Sequence, residues 1–366
     1  MKILLLSTHL NIGGISSYLL SLSKGLKAKG HEVYLASSGG ELAETFRVLG
    51  VEFIPIPIKT KAEVHPKILF SFFKLAKLVK AEKIDVIHAN TRVTQVLACL
   101  LSANTRQPFI STCHGFFKRR FSRRLFPCWG KKVIAISESV KEHLINDFRL
   151  EEKYITVVHN GIDVERFISQ SLKAAKSQVK QRLGLKDGPV VGIIARLSDV
   201  KGHSYLIEAM KQVLEKIPQA QLLIVGSGKM LDELSRLTAD LKIEESVKFI
   251  PSVADTSEVL PVMDVFVMPS LNEGLGLGLM EAMSCGIAVV GSYVGGIKAL
   301  IQDGHTGLLV RPKKVKELAE AITLLLRDEE KRKSLGKNAQ IFIGNNFSIP
   351  KMADETAWVY EVVRNV

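Results

Sequence analysis

Two carboxylates, Glu273 and Glu281, stand with seven residues between them in the stretch PSLNEGLGLGLMEAMSCGIAVV, glycines at 274, 276 and 278 among those seven. Glycine lets backbone approach a ligand closely. A helix entered near Leu279 would aim its N-terminus at the same place. A carboxylate accepts two hydroxyls at once, which suits a ribose or a hexose. The alternative is that Glu273 is a helix N-terminal charge and Glu281 a surface residue. An apolar, glycine-rich neighbourhood argues against two idle carboxylates. Arg196 and Lys201 flank a second loop, ARLSDVKGH. Two such cations suit a diphosphate, and guanidinium hydrogen bonds are well shaped for it; an ordinary solvated loop is the alternative. Gly13 and Gly14 precede a helix, where free N–H groups favour phosphate, although simple turn chemistry also uses a glycine pair. Neither NIGGISS nor GSGKML, with Gly226 and Gly228, has the G-x-G-x-x-G spacing, which disfavours a dinucleotide oxidoreductase.

The elements that must hold these residues alternate in type. Ile3–Ser7 is a continuous aliphatic run and reads as a buried strand. Ile15, Tyr18, Leu19, Leu22 and Leu26 recur at helical spacing over 15–29, and Gly30 suits the C-cap. Further strands are expected at Val33–Ala36, Val86–Ile87, Phe109–Cys113, Val133–Ile136 and Ile155–Val158. At Pro189 the strand–loop–helix–strand layout of the N-terminus restarts, and it continues through strands at 247–250, 265–268, 288–290 and 307–310. Buried runs separated by helices imply an α/β protein with parallel sheets covered on both faces. The expected organisation is a doubly wound domain over 1–168, a polar linker over 169–187 whose composition also suits a helix, a second doubly wound domain over 188–346, and a returning C-terminal helix over 347–366. Ligands bind beyond the carboxyl ends of such strands. The residues found there are His9 and Gly13–Gly14, His88 and Asn90, His114, Ser137, Asn160–Gly161, Arg196 with Lys201, Gly226 and Gly228, and Glu273 with Glu281.

The 366 residues carry a net charge of +13, unevenly placed. Residues 1–185 hold 29 basic and 14 acidic groups, and 186–366 hold 21 and 23. The whole excess therefore sits in the first half, which suits a polyanion or an anionic membrane there. No uncharged apolar run reaches the ~18–20 residues of a membrane span. The N-terminal apolar run is too short for an export signal, so a cytosolic protein is expected. Four cysteines without CxxC pairing read as reduced structural thiols. The densest basic stretch is Phe116–Lys132, FFKRRFSRRLFPCWGKK, with seven basic and no acidic residues. Lys118, Arg119, Arg120, Arg123 and Arg124 beside large apolar groups suit an interface with anionic lipid or an acceptor. The alternative is a partly buried helix whose arginines pair internally. A nucleic-acid-binding role would use the same patch but leaves the Glu273/Glu281 segment unexplained, so no nucleic-acid partner is expected.

Together, the Glu-x7-Glu segment, the Arg-x4-Lys loop, VVHNGIDVERF and the N-terminal GGI resemble glycosyltransferase family four. That is the retaining GT-B group related to glycogen synthases and to bacterial lipopolysaccharide and mannosyl transferases. The resemblance spans Gly13 to VGGIKALIQDGHTGLLV. It implies two Rossmann-like domains facing a cleft, the first binding acceptor and the second the nucleotide sugar. By this resemblance Glu281 holds the ribose hydroxyls, and Glu273 with Gly274, Leu275 and Gly276 engages the donor sugar. Arg196 and Lys201 neutralise the departing diphosphate, with Gly226 and Gly228 also on the donor side. Gly13 and Gly14 approach the phosphates or the acceptor, His114 matches the cleft histidine, and Asn160 and Gly161 lie near the hinge. The implied reaction moves a hexose, with retention, from a nucleotide-diphosphate sugar to a saccharide or lipid-linked acceptor in cell-envelope glycan synthesis. The expected donor is a UDP-sugar, with GDP- and ADP-sugars as alternatives. Work on the cytoplasmic face of the inner membrane is expected. No D-x-D motif is present, so no metal is expected. One departure is Ala299, where the family often has an acidic residue after its Gly-Gly pair, here Gly295–Gly296. A sugar-nucleotide epimerase or a phosphorylase on the same fold is the competing expectation.

Overall fold

A computed structural model describes residues 1–60, 62–63, 65–119, 123, 126–173 and 176–365. The chain forms two units. Met1–Gly161 and the C-terminal helix Ile349–Arg364 make the first, and Ile162–Ser348 makes the second.

The first unit is built on seven parallel strands: β1 Lys2–Leu6, β2 Glu32–Ser37, β3 Glu52–Pro55, β4 Val86–Ala89, β5 Phe109–Cys113, β6 Lys132–Ala135 and β7 Ile155–Val157. Their order is β3-β2-β1-β4-β5-β6-β7. β1 is aliphatic throughout because both of its faces are covered. Ile3 and Leu5 pack with Tyr18, Leu22 and Leu26 of helix Gly14–Ala28 and with Tyr360 of the C-terminal helix. Leu4 and Leu6 pack with Leu75 and Val79 of helix Pro66–Ala81 and with Leu97 of helix Arg92–Thr105. Each buried side chain of this size contributes about 1.5–3 kcal/mol. Gly25 lets the first and last helices meet: a Cβ there would lie 2.7 Å from the Ala353 Cβ.

The second unit has six parallel strands: β8 Val190–Ile194, β9 Gln221–Val225, β10 Val247–Ile250, β11 Val265–Met268, β12 Ala288–Ser292 and β13 Leu308–Val310. Their order is β10-β9-β8-β11-β12-β13. In each sheet the order reverses at one place, between β1 and β4 in the first and between β8 and β11 in the second. The crevice of a doubly wound sheet opens at that switch point, beyond the strands' carboxyl ends. Two Rossmann-like units of this kind are the GT-B fold class.

The domain limits differ from those expected. The first unit ends at Gly161, before residue 168, because Ile162 N–H donates to Phe347 O at 2.8 Å and so joins the second unit. The stretch 169–187, whose composition suits a linker plus a helix, carries the end of one helix and the whole of another. Helices Val164–Lys173 and Lys176–Leu183 lie within the second unit, where Lys176 Nζ meets Asp264 Oδ1 at 2.6 Å and Val179 is buried. Its polar composition reflects a helix with one short buried face.

Candidate active site

At the switch point of the second unit, Lys201 follows β8 and Glu273 follows β11. Lys201 Nζ donates to Glu273 Oε2 at 2.5 Å, with the two side chains only 20% and 11% exposed. Ser270 Oγ donates to the same oxygen at 3.3 Å. The two loops are locked together. Gly202 (φ +70°) sits where a Cβ would lie 2.0 Å from Pro269 O, and Leu271 N–H donates to Val200 O at 2.8 Å. From the other side, Gly296 N–H donates to Glu273 O at 2.9 Å. A Cβ on Gly295 (φ +46°) would lie 2.0 Å from Glu273 O, and one on Gly296 would lie 2.2 Å from Gly274 O. The Gly295–Gly296 pair is therefore a clamp on the backbone that carries Glu273.

Arg196 is exposed and has no hydrogen-bond or ion-pair partner among the described residues. Its loop is shaped by Gly226 and Gly228, whose Cβ positions would lie 2.0 Å from Ala195 O and 2.1 Å from Leu197 O. These two glycines serve close packing of one loop on another. Leu275 is buried, and Gly276 (φ +106°) caps helix Leu277–Ser284. Glu281 lies on that helix beside Thr256, Arg166 and Asp255, and Arg166 Nη2 pairs with Asp255 Oδ2 at 2.5 Å. Burial pushes the Glu281 carboxyl up to about 7, against a Thr256 hydrogen bond and the Arg166 charge, while Asp255 adds to the rise. His203, next to Lys201, is pushed down to about 4 by burial and by the lysine charge.

In the first unit, Gly13 stands at the N-terminus of helix Gly14–Ala28 with no side-chain cap and open space where a Cβ would be. The first-turn N–H groups of such a helix have no intrahelical acceptor. His114 follows β5. Burial pushes it down to about 3, so it is neutral. Its Nε2 lies 3.1 Å from Asn90 Oδ1, and Asn90 Nδ2 donates to His88 O at 3.2 Å. That second bond orients the amide, so His114 Nε2–H donates and Nδ1 keeps its lone pair. Tyr18 packs edge-on to the His114 ring at 4.6 Å.

Behind it runs a buried network that residue spacing did not reveal. His88 Nε2 meets Thr112 Oγ1 at 2.7 Å, and His88 Nδ1 meets Tyr360 OH at 2.7 Å. Tyr18 OH meets Thr112 Oγ1 at 3.3 Å. The expected strand Val86–Ile87 leaves His88 just beyond its end, the only signal in the sequence; His88 in fact lies within β4 and is fully buried. Asn160 is buried, and Gly161 N–H points at Met352 Sδ, 3.0 Å away.

The basic segment departs from expectation. Arg123 is 6% exposed, its guanidinium over the Phe117 ring at 3.9 Å and near Trp129 and Phe148. It is held by cation–π packing and is not a surface contact. Arg119 pairs with Asp147. Lys118 is exposed. Arg120 and Arg124 lie outside the described residues.

Residues 12–166 match the family model described as Glycosyltransferase Family 4, and residues 175–342 match Glycosyl transferases group 1. An uncharacterized glycosyltransferase of Methanocaldococcus jannaschii is 29% identical, over 96% of this chain and 95% of its own. The UDP-Gal:alpha-D-GlcNAc-diphosphoundecaprenol alpha-1,3-galactosyltransferase of Escherichia coli is 28% identical, over 79% of this chain and 78% of its own. Among solved structures, Anabaena HepE in complex with UDP-glucose superposes with a TM-score of 0.86 at 24% identity, covering 99% of this chain and 100% of that one. Two matched regions, one covering most of each Rossmann-like unit and together spanning most of the sequence, place the chain in glycosyltransferase family four, whose members transfer a sugar from a nucleotide sugar.

Proposed function

We propose that this enzyme moves a hexose from a UDP-sugar, with retention, to a lipid-linked or saccharide acceptor in cell-envelope glycan synthesis. The observation that carries the reading is the preset Lys201–Glu273 pair at the β8/β11 switch point, on a loop that also carries Arg196, which has no partner among the described residues. A guanidinium without a partner on the same loop as a locked lysine is a ready source of charge for a diphosphate. The UDP-glucose held by HepE and the UDP-Gal named for the Escherichia coli relative favour uridine. That relative's diphosphoundecaprenol acceptor favours an envelope lipid.

In this reading Glu281 takes the ribose hydroxyls, and Glu273 takes hydroxyls of the donor sugar. The bond from C1 to the β-phosphate oxygen breaks, and its electron pair goes to the diphosphate, where Arg196 and Lys201 stabilise the growing charge. The acceptor oxygen bonds C1 on the face the diphosphate leaves, and its proton passes to the departing phosphate oxygen. Neutral His114 cannot act as a cationic acid. It offers Nδ1 as an acceptor that orients a sugar hydroxyl. The helix N-terminus at Gly13–Gly14 and exposed Lys118 serve phosphate or acceptor groups. Fixed protein cations take the role a metal would have, so transfer persists in EDTA.

Incubation with UDP-, GDP- and ADP-sugars and a polyprenyl-diphosphate sugar, followed by NMR of the product, tests this. Release of UDP matched by a new α-glycoside is expected. An epimerised nucleotide sugar without nucleotide release would overturn it.

A further inference from the structure

Helix Pro66–Ala81 has one face in the core and one face without cover. Its N-terminus is fixed by His65, whose side chain accepts from Lys67 N–H, and by Pro66 at its first turn. Ile68, Leu75 and Val79 are buried. On the opposite side Leu69, Phe70 and Phe73 are 55%, 69% and 63% exposed. Large apolar side chains grouped this way on a surface mark an interaction site. Lys77 and Lys80 share that face, one and two turns beyond Phe73, and have no ion-pair or hydrogen-bond partner among the described residues. Lys74, at its margin, bonds Pro55 O at 2.8 Å. No acidic residue occurs between Pro66 and Ala81.

We infer that this face is a membrane-docking surface and that its occupant is an anionic lipid bilayer. The charge pattern decides between occupants. A protein-binding helix groove takes apolar anchors from a helix with a mixed rim, whereas here every charge on the helix is positive. Phenylalanines entering the acyl boundary with lysines at the headgroups is the arrangement of an interfacial helix. The helix lies in the unit that carries most of the excess of positive charge. The surface is thus assigned to helix Pro66–Ala81 and not to the 116–132 segment, where Arg123 is turned inward. This deepens the proposed function, since it rests on the lipid-linked acceptor reading.

Co-sedimentation of the full chain with phosphatidylcholine vesicles, with and without phosphatidylglycerol, tests it. Binding to the anionic vesicles alone is expected. The Phe70→Ala/Phe73→Ala pair should weaken it by about tenfold or more, and Lys77→Gln/Lys80→Gln by roughly thirtyfold at low salt. Both pairs replace exposed residues, so circular dichroism and UDP binding should match the parent. Binding to neither vesicle, or binding untouched by these pairs but lost on Lys118→Gln, would overturn the inference. So would a dimer in sedimentation velocity that Phe70→Ala/Phe73→Ala dissolves, which would make the occupant a second copy. Transfer to a water-soluble acceptor, assayed in parallel, separates the two readings. If it persists without vesicle binding, only the docking surface fails.

Discussion

Glu281 keeps its proton up to about pH 7 in the ligand-free protein because burial outweighs the neighbouring hydrogen bond and cation. Its folded pKa lies above its ordinary 4.5, so the folded state binds more protons than the unfolded state between those two values. Stability therefore falls as pH rises from about 4.5 to about 7, by on the order of 2 kcal/mol for this one group. Glu281→Gln should flatten that slope in urea unfolding at about pH 5 and about pH 7; parallel slopes in parent and variant would contradict the burial argument. In the proposed ribose role the ionised carboxylate would be the form that accepts two hydroxyls, so nucleotide affinity should rise across the same interval and lose this dependence in the variant. Arg196 belongs to the same scale. With no partner among the described residues to lose, Arg196→Ala should leave the melting temperature within a degree or so. It should lower kcat by about a hundredfold, and a steady-state assay with saturating donor measures this.

Among elements, the glycine loops matter most. Gly295→Ala places a Cβ against Glu273 O in a left-handed backbone, so the clamp must open. A loss of about 1–3 kcal/mol is expected, with a fall in kcat although no charged group has changed. Wild-type kcat in a folded Gly295→Ala variant would show that Glu273 is held by other means. Tyr360→Phe removes the hydroxyl that meets His88 Nδ1 in the core. Leaving that nitrogen unpaired should cost about 1–3 kcal/mol, read as a lower urea midpoint. These two cases show where the sequence was legible and where it was not. The strand β1, the helix after it and the Glu-x7-Glu segment announce themselves because their signals are local: an aliphatic run, a helical period, a glycine pattern. The Gly295–Glu273 clamp and the His88–Tyr360 bond join residues far apart in the chain, and local period carries no trace of such contacts. Arg123 was misplaced for the same reason. Its run of basic neighbours reads as surface, but Phe148, on a later helix, completes the aromatic wall that buries it. The domain limit was missed because Ile162 pairs with Phe347, nearly the whole second unit away.

For the whole molecule, two doubly wound sheets each present loops at a switch point, but they differ in charge. The nearly charge-balanced second unit carries a few fixed cations in a locked loop pair, which suits selective binding of a small anion. The basic first unit carries a neutral histidine on a buried polar network and an uncovered aromatic–lysine helix face, which suits an acceptor presented at a charged surface. Calorimetric titration of the parent, Arg196→Ala and Lys201→Ala with UDP and with UMP tests the diphosphate site most directly. UDP affinity should drop by about tenfold to a hundredfold in each variant, as loss of a charge-assisted bond requires, while UMP affinity should barely change. Equal UDP affinity in all three proteins would contradict the placement of the diphosphate at the β8/β11 switch point.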